Sequence, residues 1–392
     1  MIRELTNDCV HCGFCLPTCP TYVLWNEEMD SPRGRIHLMD ARLDGTVALN
    51  ATVTTHFDRC LGCMACVSAC PSGVKYDRLI EATRAAVESE YRRPRSERLV
   101  RSLLFATLPY PRRLRWALRL ASLGRVVPLP KQFRPLVEIA PSWRSSEIAP
   151  SAQTEGARRG RIGLLTGCVQ SVVFGDVNAA TARVLAASGF DVSVPPQGCC
   201  GALSAHAGRA EEADSFTERL RAAFGDAEPI VVNAAGCGSH LKDRGLTALD
   251  VTEVLADAEL PELHPLELTV AYQDSCHLRH AQRLPAAWLP LLERIPGLRV
   301  AEPAEQDLCC GSAGIYNLVQ PEAARELGDR KAANVLATGA QIYASANPGC
   351  LVQISNALRR AKQPLPALHP IELVDASIRG VPAGRLRATA RR

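Results

Sequence analysis

Eight of the sixteen cysteines in this 392-residue chain stand in two short runs near its start. One reads Cys9-Val-His-Cys12-Gly-Phe-Cys15-Leu-Pro-Thr-Cys19-Pro20, the other Cys60-Leu-Gly-Cys63-Met-Ala-Cys66-Val-Ser-Ala-Cys70-Pro71. Both follow C-x2-C-x2-C-x3-C-P, a spacing that ligates a pair of [4Fe–4S] clusters. The three closely spaced thiolates of a run lie on one tight loop and reach three irons of one cube. The fourth, just ahead of proline, is turned away and serves the other cube. The spacing therefore predicts one cluster on Cys9, Cys12, Cys15 and Cys70, and a second on Cys60, Cys63, Cys66 and Cys19. Zinc sites show separated C-x2-C pairs and have no use for the x3-C-P ending. A disulfide framework suits a short secreted chain rather than one of this length.

These loops need a scaffold. Between the runs, Ser31-Pro32-Arg33-Gly34-Arg35-Ile36 leads into a helical stretch over 37–43 that ends near Gly45. After Pro71, residues 76–91 carry Leu79, Ile80, Thr83 and Val87 at helical spacing. A largely helical spacer predicts an α-helical dicluster ferredoxin-like domain over 1–91. Arg33 and Arg35 read equally as near-cluster cations or as solvated turn residues.

Composition is that of an ordinary globular chain of two or three domains, 47% hydrophobic with a net charge of +4. No apolar leader precedes the first motif and no long uncharged apolar stretch occurs. The expectation is a cytoplasmic chain, peripheral on the cytoplasmic face of the inner membrane. The charge is unevenly spread. Residues 92–161 hold 16 Lys and Arg against 4 acids, a net +12, which leaves −8 for the remainder. Apolar residues such as Leu103, Leu104, Leu114 and Trp116 are interleaved, so 92–160 reads as a basic amphipathic linker. It would lie on an anionic membrane, dock a partner subunit, or connect domains with its charges solvated. No nucleic-acid motif accompanies it, and nucleic acid is not expected as a partner. Its end, 142–160, is rich in Ser, Ala, Pro and Gly.

The C-terminal part repeats itself, with copies over 161–262 and 263–392. A short apolar strand leads to Cys168, another to Cys199-Cys200-Gly201, a third to Cys237. The second copy gives Cys276, Cys309-Cys310-Gly311 and Cys350, at offsets of 108, 110 and 113 residues. Strands alternating with helices predict two small α/β units with parallel sheets. Ligands bind such sheets at the carboxyl ends of the strands, so the thiols should gather there, near the interface of the copies. Helix N-termini are expected to lower their pKa.

The C-terminal half resembles the cysteine-rich CCG domain pair of the heterodisulfide reductases and their relatives. With the two ferredoxin motifs ahead of it, the whole chain is similar to the iron–sulfur subunits of glycolate oxidase (glycolate dehydrogenase). The matching phrases include Pro32-Arg-Gly-Arg-Ile36, Asp58-Arg-Cys-Leu61, Cys70-Pro-Ser-Gly-Val74, Asn178-Ala-Ala-Thr-Ala-Arg-Val-Leu185, Leu308-Cys-Cys-Gly-Ser-Ala-Gly314 and Ala346-Asn-Pro-Gly-Cys350. The resemblance implies an electron-transfer subunit. A FAD-binding 2-hydroxy-acid oxidase partner would feed it, and it would pass electrons towards a quinone. No G-x-G-x-x-G motif occurs, so no flavin is expected on this chain. One departure matters. The full CCG pattern ends C-x2-C, but here His240 and Gln353 replace the last cysteine. Cys168, Cys199, Cys200, Cys237, Cys276, Cys309, Cys310 and Cys350 remain for a further cluster, zinc, or a thiol–disulfide couple. His240 reads as a substitute ligand or a satisfied polar side chain. His280 is expected near the site or near a quinone, His277 on the solvent side, and His206, His369 and Glu372 as structural.

Overall fold

A computed structural model describes residues 2–124, 151–154, 158–225 and 228–388. Most of the expected linker over 142–160 lies outside them, as do the basic residues Arg125, Lys131, Arg134 and Arg144.

The N-terminal part is helical. Its elements are α1 (Ile2–Thr6), α2 (Pro20–Trp25), α3 (Pro32–Leu43), α4 (Ala51–Asp58), α5 (Ala65–Ala69) and α6 (Tyr76–Glu90). Among the described residues no strand precedes Ser151. α3 starts earlier than the apolar pattern predicts. The Ser31 hydroxyl accepts the Gly34 amide at 3.0 Å, and Pro32 fits the first turn, where its missing amide costs nothing. α6 buries Leu79, Ile80, Thr83 and Val87 as its spacing predicts. Its apolar residues pack on Ile36, Met39 and Phe57 around the cysteine loops.

The basic stretch forms two helices, α7 (Arg95–Thr107) and α8 (Pro111–Gly124). They are packed, not free. Leu104 and Phe105 of α7 bury against Ile315, and Leu114 of α8 against Val172 and Val173. Two of the basic charges are not solvated. Arg93 and Arg101 are buried and both reach Asp58.

Two sheets follow. The first has the order β1-β3-β2-β4-β5, built from Ser151–Ala152 (β1), Gly160–Leu165 (β2), Phe190–Ser193 (β3), Ile230–Val232 (β4) and Ala248–Asp250 (β5). The second is β7-β6-β8-β9, from Leu268–Tyr272 (β6), Leu298–Ala301 (β7), Ile342–Ala344 (β8) and Ala367–Leu368 (β9). All pairings are parallel except β1 with β3. The internal duplication is therefore topological: β3-β2-β4-β5 and β7-β6-β8-β9 are the same order. Fully buried runs such as Val231-Val232 and Ile342-Tyr343-Ala344 require helices on both faces. The order reverses direction at β2 and at β6, the switch points where such sheets bind ligands. Cys168 and Cys276 follow those two strands.

One apolar core runs through both repeats, joining Leu164, Val184 and Val231 of the first to Val270, Trp288 and Ile371 of the second. Arg183 adds a two-bond ion pair to Asp375 at 2.7 and 2.8 Å. His369 and Glu372 cap a helix between them, the imidazole Nδ1 accepting the Ile371 amide at 3.1 Å. That structural part is the one expected of them.

Candidate functional site

The two N-terminal cysteine runs share a pair of left-handed turns. His11 and Gly13 in the first, and Gly62 and Met64 in the second, all have φ between 53° and 88°. They occupy equivalent places, two and four residues after the first cysteine of each run. Left-handed turns at non-glycine residues cost about 1 kcal/mol each and persist where a function over-determines them. Here they fold each run into a loop that turns its thiols to one side.

The loops meet in two adjoining cavities. Cys9, Cys12, Cys15 and Cys70 line one, and Cys19, Cys60 and Cys63 line the other. Cys66 lies between and borders both. The fourth cysteine of each run thus faces the cavity of the opposite run. Five thiols border the first cavity and four the second, enough in each for an iron–sulfur donor set of four. The cationic surrounding of the second cavity fits such a set too. The buried Arg35 guanidinium lies 4.0 Å from Cys19 Sγ, the Gly62 amide donates to Cys60 Sγ at 3.4 Å, and the Tyr76 hydroxyl donates to it at 3.6 Å. Burial acts to raise the Cys60 thiol, but Arg35 and Arg84 outweigh it and its pKa falls below the ordinary value. Burial above all pushes Cys63 and Cys66 well up, and Cys15 to about 11. Arg33 borders the first cavity, held on Glu28 at 2.6 Å and on the His11 carbonyl at 3.0 Å.

The cavities differ in exposure. Cys12 is exposed, and Val10 and Phe14 beside it are each 68% exposed. The second loop is buried. Leu61, Cys63 and Ala65 pack directly on Leu308, Cys309 and Tyr316 of the second repeat.

In the repeats, the thiols pair in the same pattern twice. Cys168 Sγ is 3.4 Å from Cys199 Sγ, and Cys200 contacts Cys237. Cys276 Sγ is 4.0 Å from Cys309 Sγ, and Cys310 Sγ is 3.4 Å from Cys350 Sγ. Six of the eight, Cys168, Cys199, Cys200, Cys237, Cys276 and Cys350, border one cavity of about 480 Å³ between the repeats. The α7–α8 pair roofs it with Leu104, Leu108, Leu114 and Leu118. Cys309 and Cys310 sit behind, Cys309 towards Cys63. The Cys199 thiol is lowered, but chiefly because it accepts from Cys168 and Cys200 rather than through the helix N-terminus expected to do so. Neighbouring thiols and burial push Cys168, Cys200, Cys309, Cys310 and Cys350 up. A partial charge at a helix end does not offset desolvation of this depth.

Several other residues are not where the sequence suggests. His277 does not face solvent: it borders the cavity, with Nδ1 3.6 Å from Cys276 Sγ and Nε2 3.1 Å from His206 Nε2. His206 is thereby a cavity residue too. His280 turns away to Ser68 of the N-terminal part, at 3.0 Å. His240 Nε2 is 3.3 Å from the Thr217 hydroxyl, and burial lowers its pKa to about 4. Gln353 donates to the Ala324 carbonyl at 2.6 Å. Neither substitute for the fifth cysteine points into the cavity as the thiols do. The His206–His277 contact joins residues 71 positions apart, and no local spacing announces it.

Helical cysteine loops leading into a duplicated α/β pair with facing thiols define an iron–sulfur protein with paired cysteine-rich domains. Residues 5–74 match the family described as "4Fe-4S dicluster domain", and residues 162–242 and 270–355 match "Cysteine-rich domain". The chain is 34% identical to the glycolate oxidase iron-sulfur subunit of Escherichia coli (strain K12), over 96% of this chain and 95% of the other. It is 35% identical to the Bacillus subtilis (strain 168) protein named "Probable glycolate oxidase iron-sulfur subunit", over 91% and 90%. It belongs to the family of glycolate oxidase iron–sulfur subunits. Lactate utilization protein A of Oceanobacillus iheyensis is 26% identical over 56% of this chain and 98% of its own. A hypothetical protein from Helicobacter pylori shares the fold, with a TM-score of 0.51 at 10% identity, over 88% of this chain and 68% of that one.

Proposed function

We propose that this chain is the electron-transfer subunit of a 2-hydroxy-acid dehydrogenase, with glycolate as the donor. A FAD-binding oxidase partner removes two electrons from the hydroxy acid. This chain carries them towards a quinone of the cytoplasmic membrane. The two N-terminal thiol sets hold [4Fe–4S] clusters, which supply one-electron storage at each site. The repeats' thiols hold a further cluster or metal at the far end.

The observation that carries this reading is the order of the sites. The exposed first loop can be approached by a partner, the buried second adjoins it, and Cys309 joins the second to the repeats. Apolar side chains at the first loop, Val10 and Phe14, suit a small transient interface of the redox type.

Affinity purification of the full chain with its partners tests it. A flavin-containing 2-hydroxy-acid oxidase is expected to co-purify, and glycolate should bleach the broad iron–sulfur absorbance at about 400 nm. A preparation with iron but no flavoprotein partner, unresponsive to glycolate and to lactate, would falsify the reading.

A further inference from the structure

We propose that the cavity between the repeats is the acceptor site, and that its ligand is a membrane quinone. The inference rests on the reading of the chain as the acceptor end of the dehydrogenase.

Size and chemistry agree. The cavity measures about 480 Å³, within the range of small-molecule sites, and its roof of leucines suits a ring with an isoprenoid tail. Its floor carries thiols of both repeats, which would hold the last redox group along the chain. A polar group waits beside them. Ser275 is 1% exposed, borders the cavity, and its hydroxyl has no hydrogen-bond partner among the described residues. A buried unmatched hydroxyl is costly, and a quinone carbonyl would satisfy it. The imidazoles of His206 and His277 stand on the same wall.

The way in faces a surface suited to lipid. Leu103 borders the cavity and is also 52% exposed. Leu99, Trp116 and Leu120 lie exposed on the same two helices, at 64–68%. Exposed Arg95, Arg98, Arg112 and Arg115 are interleaved with them. Apolar residues among arginines are the pattern of helices that lie in an anionic membrane interface. A quinone dissolved in that membrane meets the opening without crossing water.

The reaction balances without further reagents. One hydroxy acid becomes the 2-oxo acid on the partner, releasing two electrons and two protons. The quinone takes two electrons from this chain and two protons from water at the open side, and leaves as the quinol.

A photoreactive azidoquinone in vesicles of anionic phospholipid, added to the complex with its flavoprotein, tests the site. Label is expected on peptides within 103–121 or 312–318. Label confined to other peptides or to the partner overturns the proposal. Ala117→Trp fills the roof, and label yield should fall about tenfold or more; an unchanged yield also overturns it. Should that variant lose its iron, Val352→Trp on the opposite wall is expected to give the same fall, and an unchanged yield there overturns the proposal equally. A wild-type complex that reduces a water-soluble dye but no quinone sinks the reading beneath. One that reduces quinone yet carries its label elsewhere sinks this site alone.

Discussion

Arg35 is the residue on which the electrostatics of the second cysteine loop turn. It is 1% exposed and held on three sides, by the His56 carbonyl at 2.6 Å, the Thr21 hydroxyl at 3.1 Å and Asp30 at 3.4 Å. Asp30 has two further partners, His56 at 2.9 Å and Arg59 at 2.7 Å, so the ion pair is a network. The guanidinium faces Cys19 Sγ, and a fixed cation there favours the reduced, more negative state of whatever the thiols hold. Across roughly 6 Å at an effective dielectric of about 20, one charge is worth about 3 kcal/mol, on the order of 100 mV for one electron. Arg35→Gln is therefore expected to lower the midpoint potential at Cys19, Cys60, Cys63 and Cys66 by tens of millivolts or more. The other N-terminal site should move far less. Potentiometric titration followed by EPR separates the two, and an equal shift at both sites would count against the assignment. The sequence showed the cysteines plainly, because ligation by one chain segment imposes a local spacing. It left Arg35 balanced between cluster cation and solvated turn, since a lone arginine has no period. His206 and His277 were misplaced and Ser275 went unnoticed, because their meaning arises only where the two repeats touch.

At the level of elements, α7 and α8 decide what the thiols of the repeats can see. The amphipathic pattern was readable, but not its orientation. Leu99 and Leu103 point outward while Leu104 and Phe105 point in, so apolar residues lie on two faces and periodicity alone cannot choose. The choice is made by contacts remote in sequence. Phe105 is 2% exposed against Ile315, Arg209 stacks on its ring at 4.5 Å, and Arg93 donates to Asp58 at 3.0 Å. Phe105→Ala removes the central anchor, at a cost of about 3–5 kcal/mol for a buried aromatic. Because the hairpin is joined to the repeats by few such anchors, the loss is expected to appear as local opening. Limited proteolysis within 108–124 should accelerate, and alkylation of Cys168 and Cys237 in metal-free protein should rise. Leu120→Ala, on the exposed face, should change neither. Equal proteolysis rates for Phe105→Ala and the parent chain would show that the roof is held by other contacts. The sheets were the most legible elements, for short buried strands between helices leave little choice but a parallel α/β unit. The antiparallel edge strand β1 was hidden inside a stretch that composition marks as linker.

Across the whole molecule, the docking of the helical part on both repeats, through Arg84 on the first and Cys63 beside Cys309 on the second, fixes the distance that electrons must cover. The seam is narrow at Gly208. Its φ of +84° favours glycine, and a Cβ there would overlap the Arg84 carbonyl oxygen and stand 2.5 Å from its carbon, both backbone atoms. α6 can approach only because the side chain is missing. Arg84 then bridges the seam, donating to the His206 carbonyl at 2.8 Å on one side and to the Cys60 carbonyl on the other. Gly208→Val must push α6 and the second cysteine loop away from the repeats, while leaving each N-terminal thiol set on its own intact loops. Iron content and the EPR spectra of the N-terminal clusters are therefore expected to survive. Glycolate-driven reduction of those clusters through the proposed flavoprotein partner should also survive, since the exposed first loop is untouched. Steady-state transfer to the acceptor should fall, because the step from Cys63 to Cys309 now spans a widened gap. A conservative control, Gly208→Ala, meets the same backbone with a smaller group and should lie between. If Gly208→Val kept its iron and passed electrons to the acceptor at the parent rate, the seam would not be the route. The repeats would then have to draw their electrons from the partner directly, with the N-terminal clusters on a side branch.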